Sequence, residues 1–571
     1  MDTVYTFGLC SSLEKVFPGH APTSMKEDAV ISALQGEVPS LQLFYTKVPG
    51  KDCQASAGKF ELSIEGAPVP ARLRSVELIP NDFTTYEAAY SDPNYITKDP
   101  GLFPDVLTPM NGKFRVLGGQ YRAIWIDFPN ICAPAGEYHI TVTAKAEPKF
   151  AFADGRSGNV ENADELVFSN TFTLRILKQK LPAQSVIHTE WFHGDCIAQY
   201  YNLLVFSEGY WAIVEDYVAM AGEELAINSL LTPIFTPPLD TAAGGERLTV
   251  QLVDVDIIDG EYRFGFDKLR RWSEMCKRHK ITYLEMAHFF TQWGAMATPK
   301  IIATEYGVSK RIFGWDVPAT DPKYRKFLQA LVPELRAALR TFGYDDDHVI
   351  FHISDEPSEE HIEYYMAAKA QVIDLLEGSP VVDALSDYAL YESGAVQIPV
   401  PSNNHIQPFI DANVKNLWVY YCCSQCVDVP NRFYAMPSAR NRIMGVLMYL
   451  HDNAGFLHWG YNFYNWQFSL KPINPYMNTH AGYAFPAGDP FLVYPGDDGK
   501  AVSSIRGQVQ RNAFDDIAAF KLLESLAGRE FVVQLIKEGR NEEFTYKNYP
   551  KEPEYLLNLH ERVLSEIAKR S

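Results

Sequence analysis

Residues Val349–Pro357 read VIFHISDEP, and the interpretation of the whole chain starts from this stretch. Residues 349–353 form a short apolar run of strand length, rich in β-branched and aromatic side chains. The run ends at two adjacent acids, Asp355 and Glu356. Pro357 follows them, and proline does not extend a central strand. The pattern therefore predicts a buried strand that ends in a pair of carboxylates.

The residues after this corner predict a helix. Ser358 is a candidate N-cap, and the two glutamates that follow it suit the positive end of a helix dipole. We expect the helix to run to about Glu377, where Gly378 ends it. Strand, acidic corner and helix together form a unit of an α/β enzyme, whose sites lie at the carboxyl ends of the strands.

Size and charge limit the class of protein. A chain of 571 residues with 47% hydrophobic and 21% charged residues is expected to form two or three globular domains. The formal charge of −20 argues against nucleic acid or an anionic membrane as a partner. No stretch of about twenty apolar residues could span a bilayer. The N-terminus does not have a signal-peptide pattern, so a cytoplasmic location is expected.

The eight cysteines do not indicate a disulfide framework at this length. Cys422, Cys423 and Cys426 form a cluster, but no second CxxC or paired-histidine motif lies nearby to complete a zinc site. We expect free thiols. No phosphate-binding glycine loop is present either, so no cofactor or metal is predicted.

Residues 1–178 are predicted to be all-β. Short alternating segments are separated by turn-forming residues such as Pro49-Gly50 and Asn111-Gly112, a spacing typical of an antiparallel β-sandwich. The polar span 147–164 is interpreted as a hairpin excursion.

After a linker at Lys178–Pro182, strands alternate with helices. The count predicts a (β/α)8 TIM-like barrel over residues 183–530 and a C-terminal helical extension over 531–571 packed on it. On this count the acid pair follows the fourth strand. The eight predicted strands are Val186–Trp191, Asn228–Phe235, Thr282–His288, Val349–Ile353, Val381–Leu385, Asn416–Tyr421, Gly455–Tyr461 and Pro490–Tyr494.

Two local sequence features of this region predict further structural details. Asp321 should cap a helix that Pro333 kinks or divides. Arg506 is expected to pair with Asp515 or Asp516 on the following helix.

The side chains that follow the predicted strands are mostly aromatic, His, Asn or Asp, the residue types of a pocket for a polyhydroxylated ring. Six of them are predicted to bind substrate: His288, Trp293, Tyr388, Tyr420, Trp459 and Asn462. Others at these ends include His193, Asp195, Thr236, Asp240, Asp387, Tyr421 and Tyr461.

Adjacent acids limit the chemistry. Two-carboxylate glycosidases place their acids about 5–5.5 Å apart when retaining and about 6.5–9.5 Å apart when inverting, normally from different strands. Neighbouring residues cannot easily hold a ring from opposite sides, but they can act from one side if a 2-acetamido group supplies the nucleophile. One acid then supports the acetamido group as an oxazolinium ion forms and stays ionised. The other, with a raised pKa, protonates the leaving oxygen.

Several segments carry a resemblance to a known family. FHISDEP (351–357), PDVLTP (104–109), GQYRAIWIDF (119–128), FLHWGYNFYNW (456–466) and the segment 489–516 that begins DPFLVYPG are similar to sequences of glycoside hydrolase family 123, which are substrate-assisted β-N-acetylgalactosaminidases, and its relatives. The resemblance implies that Asp355 orients the acetamido group, that Glu356 is the general acid/base and that Trp459 is an aromatic wall of the sugar subsite. The implied partner is an amino-sugar glycoside or oligosaccharide.

Two alternatives remain open. One is a two-carboxylate retaining glycosidase, with Glu285 or Asp387 opposite Glu356. The other is a non-catalytic carbohydrate-binding or scaffold protein, which needs the aromatic rim but no tuned acid.

Overall fold

The computed structural model describes residues 5–47, 58–129, 132–146 and 166–570. The hairpin predicted at 147–164 lies outside these residues. The chain has a β-rich N-terminal region followed by an α/β region, which confirms the predicted order of the two classes. In the part of the chain that is described, every helix is too short or too polar to cross a bilayer.

The N-terminal region contains two five-stranded sheets. Their order is β1-β3-β8-β5-β6 in one sheet and β2-β10-β9-β4-β7 in the other. The bounds of β1 to β10 are Tyr5–Ser11, Val30–Gln35, Ser40–Lys47, Gly58–Glu65, Arg72–Asn81, Gly101–Pro109, Lys113–Val116, Arg122–Asp127, Gly136–Ala146 and Leu166–Lys180.

Neighbouring strands in these sheets are antiparallel with one exception, since β2 runs parallel to β10. The prediction of a purely antiparallel arrangement is wrong at this pair. A tight hairpin forces antiparallel pairing, but β2 and β10 are far apart in the chain and no hairpin joins them. Alternating residues of both sheets meet in one buried cluster, to which Leu43 and Ile124 of the first sheet and Ile140 and Phe172 of the second contribute.

The α/β region contains the remaining strands and all of the α-helices. Strands β11 to β24 are Ile187–Glu190, Ser229–Thr232, Asp254–Ile258, Glu261–Gly265, Tyr283–Met286, Ile301–Glu305, Val308–Phe313, Val349–Ile350, Val382–Leu385, Ile398–Pro401, Trp418–Tyr420, Gly455–His458, Tyr494–Pro495 and Ala501–Val502. Helices α1 to α11 are Gly194–Tyr200, Glu208–Ala219, Asp267–Arg278, Pro322–Thr341, Ile362–Lys369, Tyr388–Glu392, Gln407–Asp411, Ser438–Leu450, Ile505–Ala527, Arg529–Lys537 and Pro553–Arg570. Short 3-10 turns lie at Glu87–Ala89, Asp346–His348, Glu359–His361, Ile373–Leu375 and Gln467–Ser469, and one π turn lies at Met220–Glu224.

Parallel strands form the centre of this region. Six of them pair in the order β18-β15-β12-β11-β22-β21, and β19 pairs with β20 in a separate parallel sheet. Single parallel bridges connect the two sheets, from Phe351 to Val381 at one edge and from Ser402 to Tyr420 at the other. A four-stranded sheet, β14-β13-β16-β17, lies outside this set.

One of the eight predicted strands is wrong, and several strands were not predicted. Residues 490–493 do not belong to a strand, and Tyr494–Pro495 pairs antiparallel with Ala501–Val502 instead. The strands that were not predicted are β13, β14, β16, β17, β20 and β24. Of these, β20, Ile398–Pro401, belongs to the parallel strands. Its sequence IPVP contains two prolines, which argue against a sheet strand because they lack the N–H donor.

The single helix predicted after the acidic corner is not present as one continuous helix. Ser358 makes no side-chain cap, and the segment divides into a 3-10 turn, α5, and a second 3-10 turn instead of running unbroken to Glu377. By contrast, α4 is a single helix with Pro333 inside it, so the proline does not divide it. Asp321 caps α4 as expected, accepting the backbone N–H of Lys323 at 2.7 Å.

A buried ion pair joins the two regions. Arg506 does not pair with Asp515 or Asp516. It donates Nε and Nη2 to Asp105 of β6 at 3.0 and 2.9 Å, and Tyr494 donates its hydroxyl to the same carboxylate at 2.6 Å. The pairing of Arg506 with Asp105 could not be predicted from neighbouring residues, because Asp105 lies far away in the chain, in the N-terminal region.

Candidate active site

The acidic corner leaves the parallel sheet through a tightly held turn. The backbone N–H groups of Ile353 and Ser354 donate to Oδ1 of Asp383 at 3.1 and 3.3 Å. Glu356 has a left-handed backbone with φ of 45°. A non-glycine residue in this conformation carries strain, which is typical of ligand-binding and catalytic positions. The turn thus presents two consecutive acids at one strand end.

Both acids line one open cleft of about 160 Å³. Aromatic and polar side chains from several strand ends surround them. The complete lining is Trp191, Leu239, Asp240, Gln292, Trp293, Asp355, Glu356, Ala384, Tyr420, Cys422, Cys423, Ser424, Leu457, Trp459 and Phe485.

The two carboxylates have different surroundings. Burial and the neighbouring negative charge of Glu356 raise the pKa of Asp355 well above its usual range. Glu356 instead accepts a hydrogen bond of 2.6 Å from the hydroxyl of Tyr420, which orients its carboxylate. The raised pKa therefore belongs to Asp355, whereas the chemistry derived from the sequence expects it on the proton donor, Glu356. The cause is the enclosure of Asp355 together with the like charge next to it.

A buried polar network lies beneath the pair. His352 bonds through Nε2 to Glu285 at 2.6 Å, and its Nδ1 lies 3.4 Å from Asp383. Burial opposes the charged imidazole, but the carboxylates of Glu285 and Asp383 raise the pKa of His352 to about 9. Tyr365 donates its hydroxyl to Asp383. This network fixes the turn, since Asp383 also holds the corner backbone.

Glu285 is committed to this network. It is fully buried and accepts hydrogen bonds from Trp191 at 2.7 Å, from His352 and from Thr189. Asp387 caps α6 by accepting the N–H of Ala389 at 2.9 Å. Neither acid belongs to the cleft lining.

Tryptophans form the apolar part of the cleft. Trp459 donates Nε1 to Asp489 at 3.0 Å and packs edge-on against Phe463 and Phe485, with ring centroids about 5 Å apart. Its indole is therefore fixed on two sides. Trp293 is 44% exposed, which leaves much of its ring open to a ligand.

Three loops around Trp293 share a strained backbone. Asp240, Trp293 and Phe468 have φ values of 40°, 57° and 59°. The N–H of Trp293 donates to the carbonyl of Asp355 at 3.1 Å, and its ring meets Phe468 edge-on at 5.9 Å. The N–H of Phe468 in turn donates to Oδ2 of Asp240 at 3.0 Å. These contacts connect Asp240 to the acid pair.

Five of the eight predicted site residues meet in the cleft: Asp355, Glu356, Trp293, Tyr420 and Trp459. The other three lie outside its lining. His288 is fully buried and stacks on His352 at 4.3 Å. Tyr388 packs against Phe409 at the start of α6. Asn462 is buried and bonds to the backbone N–H and carbonyl of His193 at 2.8 and 3.1 Å.

Several lining residues were not selected from the sequence. Trp191 follows β11 directly and could have been found by the strand-end rule. Asp240 was noted at a strand end but not assigned a role. Cys422 and Cys423, predicted to be free thiols, are free and line the cleft. Gln292 and Phe485 lie in irregular segments with no sequence signal. Nowhere in the described residues do three or more His, Cys, Asp or Glu side chains gather in a way that could hold a metal ion.

Comparison with known proteins gives one strong match. The family model described as glycoside hydrolase 123, catalytic domain, matches residues 191–523, which is more than half of the chain. No curated protein matches this chain in sequence.

Among solved structures, a family 123 glycoside hydrolase from Clostridium perfringens, studied for glycolipid glycan hydrolysis, is similar with a TM-score of 0.70 and 12% identity, covering 99% of this chain and 98% of that one. A β-D-glucuronidase of Dictyoglomus thermophilum has a TM-score of only 0.32 at 9% identity, covering 90% of this chain and 98% of that one. The first of these similarities supports the fold over nearly the whole chain.

Proposed function

This chain belongs to glycoside hydrolase family 123 and is a glycosidase, and on that premise we propose that it releases terminal β-linked N-acetylgalactosamine by substrate-assisted, retaining hydrolysis. The observation that carries the proposal is the position of Asp355 and Glu356, which are consecutive in the chain and line the same tryptophan-walled cleft. Two acids so placed approach a sugar from one side, which suits a reaction in which the substrate supplies the nucleophile.

In the proposed reaction the terminal sugar stacks on Trp459 and its 2-acetamido N–H donates to Asp355. The acetamido oxygen attacks carbon 1 while Glu356 donates a proton to the leaving oxygen, and an oxazolinium ion forms. Glu356 then takes a proton from water, which attacks carbon 1 and restores the 2-acetamido group. Two inversions at carbon 1 give net retention.

The acid pair must carry one proton for this cycle. In the structure, burial and the adjacent charge raise the pKa of Asp355, which favours the proton on that residue. An acetamido N–H at Asp355, and the positive charge that develops next to it, favour the ionised form of that residue. We propose that substrate binding moves the proton to Glu356, where the reaction requires it.

The double-displacement alternative requires Glu285 or Asp387 as the nucleophile. Glu285 is buried with three donors, Asp387 caps a helix, and neither lines the cleft. These positions favour the substrate-assisted reaction. The two routes also differ in a measurable way, since only double displacement forms a covalent enzyme adduct with a fluorosugar.

Family membership and the strand pairings support a proposal on architecture as well. We propose that β11, β12, β15, β18, β19, β20, β21 and β22 close into a (β/α)8 barrel over residues 183–530. The single bridges at Phe351–Val381 and Ser402–Tyr420 support this closure. We also propose a β-sandwich over residues 1–178, supported by the shared core of its two sheets, and a C-terminal extension over 531–571.

The direct test is a panel of aryl β-glycosides that differ at carbon 2 and carbon 4. We expect turnover of the 2-acetamido galactoside, inhibition by a thiazoline analogue, and no turnover of sugars with a 2-hydroxyl group. Glu356→Gln should abolish turnover without unfolding the protein. Glu360→Gln, at an exposed position of the same acidic stretch, is the matched control. Full activity of Glu356→Gln would refute the assigned role.

A further inference from the structure

We propose that Asp240 accepts a hydrogen bond from a hydroxyl group on carbon 3, 4 or 6 of the terminal sugar, and so binds and orients that sugar in the cleft. The inference rests on the proposed function. It adds a third carboxylate to the cleft, with a binding role separate from the acid pair.

Asp240 has one carboxylate oxygen committed and one available. Oδ2 accepts the N–H of Phe468 at 3.0 Å. The backbone carbonyl of Asp240 accepts the hydroxyl of Ser469 at 2.7 Å, and its N–H donates to Oε1 of Gln292. Within the part of the chain that the structure describes, Oδ1 has no hydrogen-bond partner. Asp240 is thus positioned by the loop that contains Phe468 and Ser469 and by Gln292, and it retains an available acceptor.

Arg247 acts on this carboxylate through its charge but makes its hydrogen bonds to other groups. Arg247 directs Nε and Nη2 to Asp195 at 2.8 and 2.7 Å and Nη1 to the carbonyl of Leu239 at 3.0 Å. Burial raises the pKa of Asp240 to about 6, although the charge of Arg247 opposes the shift. The carboxylate is half-buried at the cleft surface, so a ligand that displaces water there can donate a hydrogen bond to Oδ1. A sugar hydroxyl is the donor that this cleft is proposed to receive.

The backbone of this wall is strained at several residues in contact. Asp240, Trp293 and Phe468 are all left-handed, and they are connected by the hydrogen bond and ring contact described above. Such strain persists only where the surrounding structure holds it, and it concentrates at ligand sites. Here it gives Asp240 a fixed position relative to Asp355.

The position of Asp240 relative to the acid pair indicates which hydroxyl groups of the sugar it can contact. Asp355 is assigned to the acetamido group on carbon 2 and Glu356 to the oxygen on carbon 1. Trp293 contacts Asp355 through its backbone and Phe468 through its ring, so it lies between the acid pair and the loop that holds Asp240. The hydroxyl groups on carbons 3, 4 and 6 are the donors that remain.

The test combines Asp240→Asn with deoxy substrates. Asparagine tolerates the left-handed backbone and can still accept the N–H of Phe468, so the loop should be retained. We expect kcat/KM on the aryl 2-acetamido galactoside to fall about ten- to a hundredfold, because a hydrogen bond to a charged acceptor is lost. The matched control is Asp259→Asn, an exposed aspartate with φ of 52° in the turn between β13 and β14, which should leave kcat/KM unchanged.

Substrates that lack the 3-, 4- or 6-hydroxyl group then identify the contact. With one of these deoxy substrates we expect the wild type to lose activity relative to the full substrate. Asp240→Asn should lose little activity on the same change of substrate, because its hydrogen bond to that hydroxyl group is already absent. A purely structural role for Asp240 would lower activity by the same factor on every substrate, and that result, or wild-type activity of Asp240→Asn, would overturn the inference.

Calorimetry with free N-acetylgalactosamine separates this inference from the proposed function. Weaker binding to Asp240→Asn than to the wild type supports the contact, and equal binding overturns it. If the wild type neither binds the sugar nor cleaves any 2-acetamido glycoside, the proposed function fails and the role of Asp240 fails with it.

Discussion

The hydroxyl group of Tyr420 donates a hydrogen bond of 2.6 Å to Oε1 of Glu356. Tyr420 ends β21 and Glu356 follows β18, and these strands lie at opposite edges of the six-stranded sheet. The bond therefore joins two distant strand ends across the cleft. It holds the Glu356 carboxylate in one orientation.

Removing this hydroxyl group should slow the chemical step. For Tyr420→Phe we expect kcat on an aryl 2-acetamido glycoside to fall about tenfold or more, since a hydrogen bond to a charged group is lost. Tyr421→Phe is the matched control, because the neighbouring hydroxyl donates to Asn441 at 3.4 Å, outside the cleft lining. Steady-state kinetics of both variants measure the difference. Equal kcat values for them would show that the bond does not orient the acid.

The pH profile should report the coupling of the acid pair. In Asp355→Asn the like charge that helps to hold the last proton is gone, so the basic limb of kcat/KM should move to lower pH. The rate at the optimum should also fall by about a hundredfold or more, because support for the oxazolinium ion is lost. Profiles of kcat/KM between about pH 4 and pH 9 measure both effects. A basic limb at the wild-type position would mean that the two acids titrate independently.

His352 should make stability depend on pH. Glu285 and Asp383 raise its pKa to about 9 against the opposing effect of burial. The resulting stabilisation is fully present below the unfolded value of about 6.5 and is lost as the pH rises through about 9. We expect the free energy of unfolding of the wild type to exceed that of His352→Gln by about 3 kcal/mol at pH 6. This difference should disappear by about pH 10. Urea unfolding across this range is the measurement.

The control for this pH dependence is His348→Gln, since His348 is 43% exposed in its side chain and its partner Asp345 is 69% exposed. His348→Gln should change the free energy of unfolding only slightly at every pH. A constant difference between the wild type and His352→Gln would show that His352 does not titrate in this range.

Breaking the buried ion pair between Asp105 and Arg506 should strongly destabilise the protein. Both side chains are 1% exposed. Asp105→Ala leaves a buried guanidinium without its carboxylate, which costs about 3–5 kcal/mol. The exposed pair of Asp267 and Arg270 provides the comparison, with side chains 89% and 54% exposed; Asp267→Ala should cost less than about 1 kcal/mol. Chemical denaturation of the two variants tests this, and equal midpoints would contradict it.

Some of the fold was readable from short stretches of sequence. The apolar run before Asp355 and Glu356 correctly indicated a parallel strand, but that strand covers only Val349–Ile350, and the two acids lie in the turn after it. Asp321 and Pro322 correctly marked the start of α4. The strand Ile398–Pro401 could not be found this way, because its two prolines contradict the local rule and its pairing with β19 outweighs them.

The sequence by itself determined the local units: the order of β-rich and α/β regions, the acidic corner and the family motifs. These depend on residues that are neighbours in the chain, where periodicity and proline act directly on the backbone. Only the tertiary structure decided which side chains meet at the corner. Tyr420, Trp293 and Asp240 arrive from other strand ends, and the raised pKa fell on Asp355 because burial and its neighbour's charge depend on the packing of the whole cleft. Desolvation and long-range pairing are properties of the folded chain and leave no mark on short stretches of sequence.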